Sequence, residues 1–154
     1  LKPSFSINSN YLFKRFFGKN FEAGIELCLQ IIKDSLQLSF QPEFALMIVS
    51  PWKMKRLNRQ FLNRKGVTDV ISICYNENEA GFSPAIGEIF LCPKHIFKQA
   101  KQFGCTPWFL LTRNLIHGLL HLFEFDHEQS LAFESVTMFF QDEIHETVLK
   151  LWNR

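Results

Sequence analysis

The chain has 154 residues, 47% of them hydrophobic and 21% charged, which fits one globular domain spanning 1–154 with a sizeable core. Seventeen Lys and Arg against fifteen Asp and Glu leave a formal charge of +2, too small to argue for a nucleic-acid partner by itself. Any basic surface must therefore be local. The four cysteines, Cys28, Cys74, Cys92 and Cys105, are widely spaced without a C-x-x-C pair, which argues against a zinc ribbon or a disulfide framework. Free, mostly buried thiols in a reducing compartment are expected. No run has the length of a membrane-spanning helix and the first residues do not read as a secretion signal, so a cytoplasmic protein with no membrane partner is expected.

In chain order, Phe5 to Asn8 reads as a short strand. Tyr11 to Leu36 carries Phe13, Phe16, Phe17, Phe21, Ile25, Cys28, Ile31 and Ile32 at helical spacing, which predicts one long amphipathic helix. Phe44 to Val49 reads as a strand. Ser50-Pro51 then supplies an N-cap and a first-turn proline for a helix running to about Asn63, with Gly66 closing it. Thr68 to Tyr75 is rich in β-branched residues and Gly87 to Cys92 is also strand-like, with the polar stretch Asn76 to Pro84 between them as a surface loop. Helical patterns follow at Lys94 to Phe103, Pro107 to about Phe123 and Gln129 to Leu151, broken by Gly104 and by Glu124 to His127. Without repeats or a linker, this predicts a single α+β domain: a small mixed sheet flanked by helices.

The chemistry concentrates in Leu115 to His127, LIHGLLHLFEFDH. His117 and His121 stand four apart on an apolar helix, so both imidazoles leave one face a single turn apart. His127 follows where the chain leaves the helix and can fold back toward them. Three neutral imidazoles with an open fourth position describe a catalytic rather than a structural zinc site, with one Zn2+ per chain. Only five residues of the chain are His, so this clustering is not scatter; His95 and His145 stand alone and read as packed or surface side chains. The H-x3-H-x5-H spacing is shared with metzincin peptidases, where a glutamate after the first His is the general base. Here that position is Gly118, and losing proton transfer removes a factor of about 100 or more, which weakens a peptidase reading.

A basic cluster, Lys53, Lys55, Arg56, Arg59, Arg64 and Lys65, surrounds one helix and its exit loop. Trp52 is a candidate for stacking on unpaired bases, whereas Phe61 reads as core.

His117-Gly118-Leu119-Leu120-His121-Leu122-Phe123-Glu124-Phe125-Asp126-His127 resembles the metal motif H-G-x-L-H-L-x-G-Y-D-H of the YbeY endoribonucleases, or rRNA maturation factors. Leu57-Asn58, Thr68-Asp69-Val70-Ile71-Ser72 and Gly87-Glu88-Ile89 match further blocks of that family in the same order, and the likeness reaches Met138. The resemblance implies a zincin-like domain with the metal on a helix and the loop after it. It further implies cleavage of single-stranded RNA in ribosomal RNA maturation and ribosome quality control, with ribosomal RNA and ribosomal subunits as partners. The chain departs from the family at Glu124, where a glycine is usual, and at Leu62, where the family carries an arginine facing the cleft. Arg59 or Arg64 could supply that charge from a shifted position, offsetting a phosphodiester beside the metal. Asp126 either orients an imidazole N–H or accepts a proton from water. Ser72 either bonds substrate or is a sheet serine, and Thr68 and Asp69 are expected to pin the loop entering their strand. A zinc peptidase, or a ribosome-associated metal-binding protein that has lost turnover, are the competing readings.

Overall fold

The computed structural model describes residues 5–8, 21–37, 43–75, 85–123 and 131–152. Within them the chain forms β1 (Phe5–Asn8), α1 (Phe21–Ser35), β2 (Glu43–Ile48), α2 (Pro51–Leu62), β3 (Val70–Cys74), β4 (Ala85–Leu91), α3 (Pro93–Phe103), α4 (Pro107–Leu122) and α5 (Leu131–Trp152). The expected long first helix is present over Phe21–Ser35, and its predicted first part lies outside the described residues.

Capping chemistry explains where the helices begin. Pro51, Pro93 and Pro107 each occupy a first turn, where the missing N–H costs nothing. The side chains of Ser50 and Thr106 accept from the backbone N–H of Lys53 at 3.3 Å and of Phe109 at 3.1 Å. α2 ends where expected, but the residue that closes it differs. Asn63, with φ of 50°, takes the left-handed cap and donates its N–H to the Asn58 carbonyl, and Gly66 comes only afterwards. Asparagine tolerates that conformation better than most residues with a Cβ, so the helix stops before the glycine is reached.

The sheet has four strands in the order β1-β2-β4-β3. β1 and β4 each run parallel to β2, and β3 runs antiparallel to β4. The predicted pairing of the third and fourth strands is therefore present, in a mixed sheet. β3 is regular from Val70; just before it the Asp69 carbonyl still accepts from Cys92 N at 2.9 Å, while its carboxylate accepts from its neighbour Val70 N and from Thr68 Oγ1 at 3.0 Å each. It also accepts from Asn114 Nδ2 at 2.9 Å, so it pins the strand entrance to α4.

Alternation along the strands divides the interior in two. Phe44, Leu46, Ile89 and Leu91 pack into the large cluster built by α1, α3, α4 and α5. Ile71 and Phe90 point the other way and meet Val49, Met54 and Cys92, with Leu57 packed alongside. Thus, among the described residues, α2 is the helix that covers one sheet face, while the helix carrying the histidines is buried in the layer on the opposite face. Cys28 and Cys92 are buried, Cys105 is half-buried and Cys74 is exposed; all four are free thiols. Burial pushes the Cys28 thiol up to about 12, which keeps it protonated and inert.

Candidate metal centre

α4 buries Leu110, Leu111, Leu115, Ile116, Leu119, Leu120 and Leu122, nearly its whole apolar surface. The residues left off that surface, Arg113, His117 and His121, recur every four positions and so form one polar stripe. Against it α5 sets a stripe of its own: Thr137, Gln141 and His145 recur at the same interval and are buried at 1%, 1% and 4% exposure. Polar groups this deeply placed must find partners, and Gln141 and His145 find them across the helix pair.

His117 Nδ1 lies 2.8 Å from the side-chain amide of Gln141, while its Nε2 lies 3.1 Å from Nε2 of His121. The ring centroids are 4.5 Å apart with planes at 83°. Two imidazoles sharing a tetrahedral zinc at the usual bond length place their nitrogens roughly 3.3 Å apart. The pair therefore fits one ion between its Nε2 atoms. Among the described residues no group of three His, Cys, Asp or Glu side chains forms a metal site. His127 and Asp126 lie outside the described residues.

Gly118 faces the sheet. A Cβ there would stand 2.8 Å from Ser72 Oγ and 3.3 Å from Val70 Cγ2, so α4 can lie this close to β3 only without a side chain. A glutamate at this position would be driven into the sheet, and a peptidase-type base has no room. Ser72 is thereby placed between β3 and α4, directly under the histidine turn. The neighbouring Cys74 Sγ donates to the His121 carbonyl at 3.1 Å, tying the end of β3 to the end of α4.

Arg59 and Leu62 are exposed on α2, across the sheet from α4, and Arg64 is exposed in the loop that follows. The structure thus groups Ser72 with the histidines and leaves Arg59 on the other side. Phe61, expected in the core, is 47% exposed: α2 fully buries only Met54 and Asn58, so its last turn has little to pack on. Asn58 Nδ2 donates to the Gly66 carbonyl at 3.2 Å, which gives the Leu57-Asn58 block a role in holding the exit loop.

Three side chains beside the histidines escaped the sequence reading: Arg113, Gln141 and Thr112. His145 is a packed residue rather than a ligand, its Nε2 being 2.9 Å from Thr112 Oγ1. Thr112 spends its one proton on the carbonyls of Trp108 and Phe109, so it accepts from His145. The signal was the four-residue recurrence of Thr137, Gln141 and His145 in α5.

Residues 8–149 match the family profile described as Endoribonuclease YbeY. A protein named Endoribonuclease YbeY from Mycoplasma pneumoniae is 99% identical over 154 residues, covering 100% of both chains. One of the same name from Mycoplasma genitalium is 74% identical over 152 residues, covering 99% of each. The solution structure of TM1509 from Thermotoga maritima superposes with a TM-score of 0.64 at 25% identity, covering 97% of this chain and 91% of that one. The histidine block, the close contact at Gly118 and these likenesses agree: the chain belongs to the YbeY endoribonuclease family.

Proposed function

We propose that this protein is a zinc-dependent endoribonuclease that cuts single-stranded RNA in ribosomal RNA maturation and ribosome quality control in the cytoplasm. The observation that carries the metal reading is the convergence of His117 and His121, whose Nε2 atoms lie 3.1 Å apart with Gln141 behind the first ring. His127, six residues beyond His121, supplies the third nitrogen. When bound, zinc supplies Lewis acidity that activates water near neutral pH without a glutamate beside His117. Asp126 orients an imidazole of the triad from the adjacent position. Ser72, beneath the histidine turn, offers a hydroxyl to the RNA.

Support for RNA as substrate comes from α2. Its twelve residues carry Lys53, Lys55, Arg56 and Arg59 and no acidic residue in the first turn, and Arg64 follows in the exit loop. Arg56 stacks 4.8 Å over the ring of Trp52, which is 68% exposed. A flat, cationic and aromatic surface suits an unpaired base next to a phosphate. Because α2 lies across the sheet from α4, Arg59 and Arg64 are assigned to the RNA backbone at a distance from the reacting phosphate.

Metal analysis of the purified protein together with RNA cleavage tests this reading. About one equivalent of zinc is expected, lost in His117→Ala and His121→Ala, with single-stranded RNA cut and cutting stopped by a chelator. Cleavage of unfolded polypeptide but not RNA, or RNA cleavage indifferent to chelator, would overturn it.

A further inference from the structure

The Gln141 side chain is 1% exposed and lies between two groups with conflicting demands. With its oxygen toward His117, that oxygen is 2.8 Å from Nδ1. With the amide turned over, its nitrogen donates to Nδ1 at 2.8 Å while its oxygen accepts from Arg113 Nη2 at 3.0 Å and Nε at 3.3 Å. A guanidinium can only donate, so Arg113 selects the second orientation. Nδ1 of His117 must then be the bare nitrogen, its proton sits on Nε2, and the 3.1 Å contact to His121 Nε2 is an N–H donated by His117.

That arrangement closes His117 to a metal, because the Nε2 lone pair facing His121 is replaced by a proton. Metal binding through Nε2 requires the proton on Nδ1 and an acceptor for it, and the only orientation that supplies one turns the Gln141 oxygen away from Arg113. The guanidinium has another acceptor within reach, Asp142 Oδ1 at 3.5 Å. On the zinc reading given above, we infer that Gln141 is the positioning residue that sets the tautomer of His117, and that Arg113 opposes it. The metal-free protein holds a closed histidine pair, and loading turns the Gln141 amide over while Arg113 keeps its existing bond to Asp142 as its acceptor. No proton is gained or lost by Gln141; the His117 proton passes from Nε2 to Nδ1.

The experiment measures Zn2+ affinity by chelator competition, and the His117 tautomer by long-range proton–nitrogen NMR on the metal-free protein. Gln141→Leu removes the acceptor and should weaken Zn2+ about 10- to 100-fold. Gln141→Glu accepts from His117 and Arg113 at once. It should tighten binding and show the metal-free His117 proton on Nδ1, where the wild type shows it on Nε2. Arg113→Met, at a partly exposed site, removes the competitor and should tighten Zn2+ by about tenfold, the effect expected for one charge-assisted hydrogen bond. It tests the same point if Gln141→Leu fails to fold. The inference is overturned if the wild type binds Zn2+ through His117 but these variants keep its affinity and its tautomer. If instead His117→Ala binds Zn2+ as the wild type does, the zinc reading itself fails, and the NMR comparison still decides whether Arg113 sets the tautomer.

Discussion

A methyl group at position 118 would intrude on Ser72 Oγ at 2.8 Å and on Val70 Cγ2 at 3.3 Å, so single atoms set the separation of α4 from the sheet. Gly118→Ala should destabilise the protein by about 1 to 2 kcal/mol, the overpacking penalty exceeding the gain of about 1 kcal/mol from better helix propensity. Chemical denaturation of Gly118→Ala beside Ser72→Ala/Gly118→Ala checks the cause: part of the loss should return when the hydroxyl is gone. Asp69 is a second such residue. Asp69→Ala leaves Asn114, 7% exposed, without its 2.9 Å partner and frees the Val70 N–H. A loss of about 2 to 3 kcal/mol is expected, and Asp69→Asn, which keeps one acceptor, should lose less.

His145 gives the residue scale its pH dependence. Burial lowers its pKa from 6.5; the Phe109 carbonyl raises it, Arg113 lowers it further and Asp142 raises it. The unfolded chain therefore takes up this proton at a higher pH than the native state does. Stability from the neutral ring is full above about pH 6.5 and is lost as pH falls through the lower native value. Urea unfolding from pH 8 to 5 should show a shallower acid loss in His145→Gln than in the wild type. Equal slopes would remove His145 as the origin.

At the scale of elements, most of the architecture was legible because its signals are local. Ser50-Pro51 placed the start of α2, and β-branched residues placed β3 beside β4. What failed was also local but depended on competition. Asn63 and Gly66 both offered a left-handed cap, and the first available one took it. Thr68 and Asp69 fall just before the regular strand, and the pinning expected of them is met: the Asp69 carboxylate bonds the Val70 N–H, Thr68 and Asn114. The histidines could be read as a pair from their spacing. Their partners could not, because Arg113 and Gln141 meet only through the antiparallel register of α4 and α5, which no sequence interval encodes. Phe61 misled for a similar reason: its periodicity was helical, but the element it should have packed on is a small one.

Over the whole molecule, the proposed zinc site would link metal loading to folding. Zinc that binds the native state alone raises stability in proportion to the logarithm of free metal above Kd, so the Tm of the wild type should climb with added Zn2+ and that of His121→Ala should not. The proposed RNA contact answers to the opposite face. Lys55→Gln and Arg59→Gln should lower affinity for all single-stranded sequences alike and reduce the salt dependence by roughly 0.7 per charge removed, as titrations at several salt concentrations would show.

Among the described residues, α2 is the helix on one side of the sheet, and the histidine helix lies in the layer on the other. On the function proposed above, the grip on the polymer and the cut are therefore built on separate cores, with a layer of strands as insulation between them. Free-energy changes from α2 surface substitutions and from histidine substitutions should add, with a double-mutant coupling near zero. On that reading, a chain so divided can change how tightly it holds RNA without touching its metal site, because the gripping surface can drift while the histidine pair stays fixed.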